Sequence, residues 1–185
     1  MKKEFLFIVL LLFFQCTSFS QKTKPKFTSI NQVGVALGGS DEDLQLQTIN
    51  GIFHETYTVG LGLALDQYFH RTVPLFVDFR KDLFAKTQTP FVYADLGLNM
   101  PWIKRGEQTW YKSEYDPGSY FDLGVGYKIK VYKKFSANLA FGYSEKRVKE
   151  KRYRVAPFDF LPNNEGYESL NYALRRFSVK AGLSF

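Results

Sequence analysis

The chain has 185 residues, one cysteine and a formal charge of +7 at neutral pH. That length fits a single domain, and one cysteine excludes an internal disulfide framework or a thiolate metal site. Beyond the first 20 residues, no apolar run approaches the roughly 18 residues of a membrane-spanning helix, which excludes a helical membrane protein. The 19 Phe, 12 Tyr and 14 Gly suit a β-barrel, in which alternation keeps the average hydropathy low.

The first 20 residues have the pattern of a secretory signal peptide. A basic start at 1–3 precedes an apolar run at 5–14, and Ser18 and Ser20 place small residues before Gln21. As a helix, an apolar run of that length spans about 15 Å, about half of a hydrocarbon core. We therefore predict a signal peptide at 1–20 that is cleaved after export, followed by a short periplasmic segment at 21–26.

Cys16 leaves a second interpretation of this leader open. A lipoprotein signal would make Cys16 the lipidated first residue, but Gln15 stands where such signals usually carry Gly, Ala or Ser. If cleavage follows Ser20, the mature chain has no cysteine, and hence no disulfide and no thiolate ligand.

Apolar residues with a period of two dominate the rest of the chain and predict strands. The clearest run is 57–65, whose second face carries small residues that suit a narrow barrel interior. The last run alternates from Phe177 to Phe185, polar on one face and apolar on the other, as a closing barrel strand requires. In chain order, the eight predicted strands are 32–37, 44–54, 57–65, 73–80, 91–100, 121–129, 135–144 and 177–185.

The second predicted strand has the weakest pattern. Leu44 and Leu46 keep one phase, whereas Ile49 and Phe53 keep the other, so we expect a bulge near 50–51.

The lengths of the connectors alternate along the chain. Short turns at one rim and longer loops at the other are typical of bacterial outer-membrane barrels, with the termini on the periplasmic side. The short connectors are near 54–55, 85–89 and 132–134, the long ones are 101–118 and 148–168, and those at 38–43 and 66–72 are intermediate.

Five segments carry a resemblance to a known family: Gly60–Asp66, Pro74–Arg80, Tyr93–Gly97, Phe121–Tyr127 and the terminal Phe185. With these segments, the chain resembles the small eight-stranded outer-membrane β-barrel proteins of Gram-negative bacteria, the OmpA-like and porin-family group. The resemblance covers about 27–185. It implies an all-β fold, an eight-stranded antiparallel transmembrane β-barrel, and is nearly silent on activity.

The strand phase places charged side chains inside this barrel. Because isolated charges at low dielectric cost several kcal/mol, they must pair or be hydrated. We expect an ion-pair network that plugs the lumen, and a narrow gated ion path is the alternative. The predicted lumen charges are Asp66, Asp78, Arg80, Asp95, Asp122, Lys128, Lys130, Arg176 and Lys180.

Two outer segments are candidates for contact with partners. The segment 145–154 is rich in Lys and Arg, and arginine binds phosphate well. In the loop 101–118, Trp102 and the nearby Tyr120 are expected at headgroup depth. The candidate contact residues are Trp110, Tyr111, Lys146, Arg147, Lys149, Lys151, Arg152, Tyr153 and Arg154. A solvated hairpin and plain loop packing are the alternatives.

Catalysis is not expected. The two histidines, His54 and His70, fall in connectors, and neither lies in a His-x-Ser arrangement like that of barrel deacylases. We predict no cofactor and no metal, because no ligand spacing is present.

The sequence therefore predicts a monomeric outer-membrane barrel with a structural or interaction role at the envelope. Its partners would be outer-membrane lipid, lipopolysaccharide or another envelope protein, and not nucleic acid. A narrow channel is the first alternative, and a soluble periplasmic ligand-binding barrel of lipocalin type is the second.

Overall fold

The computed structural model describes residues 24–38, 41–67, 71–102, 107–108, 111–132, 134–154 and 167–185. The predicted signal peptide lies outside these residues. The strands are β1 (Lys26–Gly38), β2 (Asp41–His54), β3 (Tyr57–Asp66), β4 (Thr72–Asp82), β5 (Gln88–Pro101), β6 (Glu107–Gln108), β7 (Tyr111–Asp116), β8 (Gly118–Tyr132), β9 (Phe135–Arg154) and β10 (Tyr167–Ser184). No helix among the described residues is long and apolar enough to cross a membrane.

Eight of these strands close into a barrel. The order is β1-β2-β3-β4-β5-β8-β9-β10, every neighbouring pair is antiparallel, and β10 returns to pair with β1 from Ser184 opposite Ile30 to Phe177 opposite Leu37. Closure leaves the barrel wall without an open edge. The predicted eight-stranded antiparallel barrel is confirmed, and the closing strand is the one that the carboxy-terminal alternation indicated.

The two ends of the barrel differ. At one end, which we call the turn rim, short connectors separate β2 from β3, β4 from β5 and β8 from β9, and Glu55 takes a positive φ of 57° in its tight turn. The opposite end is the loop rim. There the connector after β1 is shorter than predicted, since β1 reaches Gly38 and β2 begins at Asp41.

A small sheet rises above the loop rim. β9 runs to Arg154, ten residues beyond the predicted strand end at 144, and it pairs with β10 as far as Tyr167 opposite Tyr153. On its other edge, β7 pairs with β9 from Tyr111 opposite Arg154 to Asp116 opposite Lys149. We call β7 together with residues 147–154 of β9 and 167–173 of β10 the platform. Its alternation is charged rather than apolar, and the sequence pattern therefore indicated a loop.

The two faces of the wall differ in polarity. In β3, exposed and buried residues alternate without a break, and Leu61 on the outward face is 67% exposed. Large apolar side chains cover the outward face of every barrel strand, whereas most inward side chains are small, polar or charged. Soluble monomers rarely expose so large an apolar surface. It is the surface that a barrel presents to lipid.

The predicted bulge near 50–51 is wrong. β2 keeps an unbroken register with both β1 and β3, so Ile49 and Phe53 point inward. Ile49 is fully buried, where it belongs to an apolar cluster with Ile30, Ala64, Phe76 and Tyr120. The sequence suggested a phase change because inward residues were assumed to be polar. The barrel interior needs apolar filling as well, and the register shift of the wall lies instead in β8, between Lys130 and Tyr132.

Candidate functional site

The lumen holds its charges in three layers. Nearest the loop rim, the Asp66 carboxylate pairs with Lys146, whose Nζ lies 3.1 Å from Oδ1, and with the Arg176 guanidinium at Oδ2. Lys146 also donates to Thr72 Oγ1 at 3.3 Å, and Arg176 donates to Ser144 Oγ at 3.4 Å. These five side chains come from four strands and are fully buried, so the layer closes the lumen at this end.

The middle layer is a row of three aspartates. Asp78, Asp95 and Asp122 lie directly opposite one another on β4, β5 and β8 and are completely buried. Lys180 Nζ lies 2.8 Å from Asp122 Oδ2 and 3.9 Å from Asp95 Oδ2. Arg80 Nε donates to Asp78 Oδ2 at 2.8 Å.

Aromatic rings support the two cations of the middle layer. The Arg80 guanidinium lies 5.5 Å from the ring centre of Phe91 and 5.4 Å from that of Tyr93, and Lys180 Nζ lies 4.6 Å from the Tyr93 ring. Contacts of this kind stabilise a desolvated cation by about 2 kcal/mol. The Tyr93 hydroxyl also donates to Asp122 Oδ1 at 2.8 Å. Tyr93 therefore contacts the Arg80 and Lys180 cations with its ring and the Asp122 carboxylate with its hydroxyl group.

The layer nearest the turn rim is simpler. Lys128 pairs with Asp82, and its Nζ lies 5.1 Å from the Phe53 ring. A cavity of about 230 Å³ lies beside this pair at the turn rim, and its lining includes Lys26, Lys134 and the ring of Phe91. Lys130 is exposed near this rim and takes no part in the ion pairs found among the described residues.

Apolar packing completes the closure of the lumen. The Phe76 and Tyr120 rings pack at 5.5 Å between centroids, between the aspartate row and the Asp66 layer. Gly62 makes room for the Phe76 ring, because a Cβ at position 62 would lie 2.1 Å from that ring. Tyr120 was expected at headgroup depth, but its place in the inward phase of β8 buries it in the lumen.

A second charged cluster lies on the outward face at the loop rim. The buried Glu145 carboxylate accepts hydrogen bonds from Arg147 Nε at 2.8 Å and Arg175 Nε at 3.0 Å. The two arginine side chains are 60% and 66% exposed. We call these three residues the rim cluster. One step closer to the turn rim, Tyr143 and Phe177 pack edge to face at 5.6 Å.

In the platform, Glu150 connects three elements. Its carboxylate accepts hydrogen bonds from Arg152 Nε at 2.8 Å, Ser113 Oγ at 2.8 Å and the Tyr172 hydroxyl at 2.9 Å. Burial of this carboxylate raises its pKa, but those hydrogen bonds outweigh burial and lower the pKa to about 2. Glu150 therefore remains ionised down to strongly acidic pH.

The predicted partner-contact residues divide into separate groups. Lys146 is not available for contact, because the inward phase of β9 carries it into the lumen, where it pairs with Asp66. Arg147 and Lys149 are exposed, whereas Lys151 pairs with Asp116 at 2.8 Å.

The remaining predicted contact residues offer less support for a contact surface. Arg152 pairs with Glu150, and Tyr153 is half-buried. Tyr111 and Arg154 lie opposite each other in the β7–β9 ladder. Trp110 lies outside the described residues.

Three charged residues of these sites were not predicted, and a fourth, Lys146, was predicted as an outer contact instead. Asp82 and Lys146 lie in the lumen, and Glu145 and Arg175 form the rim cluster with Arg147. Extending the strand phase by two residues beyond Arg80 and beyond Ser144 would have found the first two. The rim cluster depends on the pairing of β9 with β10, which no local pattern gives.

His54 lies in no recognisable catalytic arrangement among the described residues. His54 ends β2, is about half exposed and lies 4.0 Å from the Glu55 carboxylate. His70 lies outside the described residues. Within the described ranges, no group of three His, Cys, Asp or Glu side chains could hold a metal ion.

The closed eight-stranded wall with its apolar outward face and charged lumen has the fold of the small outer-membrane β-barrels. No family model and no curated protein matches the chain. The resemblance drawn from the five sequence segments is confirmed at the level of the fold by solved structures.

Three of these solved structures are outer-membrane or surface proteins. The outer membrane protein OprG from Pseudomonas aeruginosa matches with a TM-score of 0.62 and 9% identity, over 85% of this chain and 94% of OprG. Neisserial surface protein A matches with a TM-score of 0.58 and 11% identity, over 88% of this chain and 98% of that protein. AlkL, solved in DMPC lipid bilayers, matches with a TM-score of 0.55 and 11% identity, over 91% and 94%.

Proposed function

We propose that this protein is an outer-membrane barrel that binds the phosphate groups of lipopolysaccharide at its loop rim. The observation that carries the proposal is the rim cluster, in which Glu145 holds two exposed arginines on the lipid-facing side of the wall. Location in the outer membrane is supported by the apolar outward face and by the solved structures that share the fold.

The height of the rim cluster fits a lipid headgroup. Outer-membrane barrels carry an apolar band bordered by aromatic residues at each interface. On β9 and β10, the outward residues change from Phe141, Tyr143 and Phe177 to Glu145 and Arg175 within one step of the alternation. A lipid whose acyl chains lay on those aromatic rings would therefore bring its headgroup to the two arginines.

The two arginines of the rim cluster keep donor groups that can bind a phosphate in addition to the Glu145 carboxylate. Each arginine uses Nε for Glu145, so the terminal nitrogens of each guanidinium can reach an outside anion. Glu145 neutralises only one of the two charges, and Lys149 adds another exposed cation nearby. Guanidinium groups bind phosphate in a bidentate manner, with bonds about twice as strong as neutral ones.

A binding experiment with a matched control tests the proposal. Arg147→Gln combined with Arg175→Gln should weaken the binding of lipopolysaccharide to the barrel in phospholipid vesicles by about tenfold, or ~1.4 kcal/mol. Lys81→Gln combined with Lys86→Gln removes the same charge at the turn rim and should leave binding unchanged. Equal binding by both double variants, or an equal loss in both, would contradict the proposal.

The other candidate functions have less support. The three layers of paired side chains argue against an open channel. Discrete conductance steps in planar bilayers, weakened by charge reversal at Arg80 or Lys128, would instead favour a channel. The apolar outward face argues against a soluble barrel of lipocalin type. No arrangement of side chains among the described residues favours catalysis.

A further inference from the structure

The middle layer of the lumen has one negative charge too many. Its three aspartates, Asp78, Asp95 and Asp122, face two cations, Arg80 and Lys180. Nearer the loop rim, Lys146 and Arg176 pair with Asp66, and the rings of Phe76 and Tyr120 pack between that carboxylate and the aspartate row. Like charges directly opposite each other on neighbouring strands destabilise a sheet, and complete burial increases that cost.

Two carboxylate oxygens of this layer also lack donors. Asp122 is satisfied, since Oδ1 accepts from Tyr93 and Oδ2 accepts from Lys180. Asp78 Oδ1 and Asp95 Oδ1 are fully buried and have no hydrogen-bond partner among the described residues. An unsatisfied buried polar atom costs about 1–3 kcal/mol, and more when it is charged. The two unpartnered atoms belong to residues directly opposite each other in the β4–β5 ladder, whose carboxyl groups are within hydrogen-bonding reach.

We propose that Asp95 binds a proton and donates it in a hydrogen bond to Asp78, which makes the pair a proton site in the centre of the barrel. A single proton satisfies both unpartnered oxygens, since a protonated carboxyl group is a donor and an ionised one is an acceptor. It also brings the layer to two negative and two positive charges. Two carboxyl groups that share a site cannot both ionise at neutral pH without a large cost.

The neighbours of the pair decide which aspartate carries the proton. Asp78 accepts a hydrogen bond from the Arg80 guanidinium at 2.8 Å, which favours its ionised form. Among the described residues, Asp95 accepts a hydrogen bond only from the neutral Gln47 amide, at 2.9 Å. Lys180 Nζ lies 3.9 Å from Asp95 Oδ2 and forms a closer ion pair, at 2.8 Å, with Asp122 Oδ2. The phenol groups of Tyr93 and Tyr120 also face the layer, and both donate to Asp122. Asp95 is therefore the weakest site for a negative charge.

Variants of two aspartates of the row, Asp95 and Asp122, test this assignment. Asp95→Asn keeps the shape, the acceptor for Gln47 and a donor for Asp78, so the urea midpoint for unfolding of the barrel in vesicles should stay at the wild-type value or rise. Asp122→Asn removes the partner of Lys180 and should lower the midpoint. A fall in Asp95→Asn as large as that in Asp122→Asn would overturn the proposal.

An infrared measurement on the wild-type barrel tests the proton itself, and does not depend on any variant folding. At neutral pH, the spectrum should contain the carbonyl band of a protonated carboxylic acid that resists exchange of the solvent for D₂O, and the band should be absent in Asp95→Asn. A wild-type spectrum without this band, or a band that persists in Asp95→Asn, would show that Asp95 is ionised.

Discussion

Asp66 is the residue whose loss should most damage the lumen. It contacts both Lys146 and Arg176, and all three side chains are fully buried. Asp66→Asn therefore leaves two buried cations without the carboxylate that binds them. Removal of one partner from a buried ion pair typically costs about 3–5 kcal/mol, because the remaining charge cannot recover its hydration. We expect a loss of about that size in the free energy of unfolding.

The opposite substitution should cost much less. Lys146→Met replaces the ammonium with an apolar group of similar length and leaves the Asp66–Arg176 pair intact, so the layer becomes neutral. Replacement of a buried ion by a well-packed apolar residue is often close to neutral in stability. We expect a change of about 1 kcal/mol or less. In the double variant, Lys146→Met should recover part of what Asp66→Asn loses, since one of the two cations that lost the Asp66 carboxylate is then removed.

The assay is reversible urea unfolding of the barrel in lipid vesicles, followed by the fluorescence of Trp102 and Trp110. A loss below about 1 kcal/mol for Asp66→Asn would refute the reasoning, because it would mean that the layer is hydrated rather than sealed. A larger loss for Lys146→Met than for Asp66→Asn would show that Lys146 acts by packing and not as a surplus charge.

Three further predictions follow from single side chains. Leu61→Arg places a charge on the lipid-facing side of β3 and should cost about 2–4 kcal/mol in vesicle unfolding, and an unchanged midpoint would contradict the outward phase. Gly62→Ala places a methyl group against the Phe76 ring and should lower the free energy of unfolding by about 1–3 kcal/mol. Phe76→Leu should restore part of that loss, and no recovery would mean that residues 62 and 76 do not touch. The lowered pKa of Glu150 gives the platform a stabilisation that is present above the ordinary pKa of 4.5 and is lost as the pH falls towards about 2. Amide hydrogen exchange in β7 should therefore rise over that interval, after correction for intrinsic rates, and Glu150→Gln should abolish the rise.

The strand phase could be predicted from the sequence because one face of the wall needs apolar residues throughout. Phe79 and Val179 are outward for the same reason, so the residues next to them, Asp78 and Lys180, are placed inside without any knowledge of pairing. The phase failed at Ile49, because the change of apolar phase within the second predicted strand was interpreted as a bulge. A barrel of eight strands has an interior that side chains must fill, so apolar residues also belong there.

The charged sites were harder to predict because they depend on pairing between distant segments. Lys146 appeared to belong to an outer loop, since the residues around it are charged, and only the extension of β9 turns it towards Asp66. Glu145 and Arg175 are 30 residues apart and meet because β9 and β10 are neighbours. The stabilisation of the platform likewise comes from cross-strand hydrogen bonds to Glu150 rather than from apolar burial.

The central claim is that the outward face of this wall lies in lipid while the inward face is sealed. Single cysteines at Thr58, Leu61, Leu63 and Asn138 can be introduced into a chain from which the native Cys16 is absent, labelled with a small environment-sensitive fluorophore, and reconstituted in vesicles that contain spin-labelled acyl chains. We expect strong quenching of the labels at 61 and 63, which face outward, and little at 58 and 138, which line the cavity at the turn rim. Equal quenching at all four positions, or none at any of them, would contradict the account.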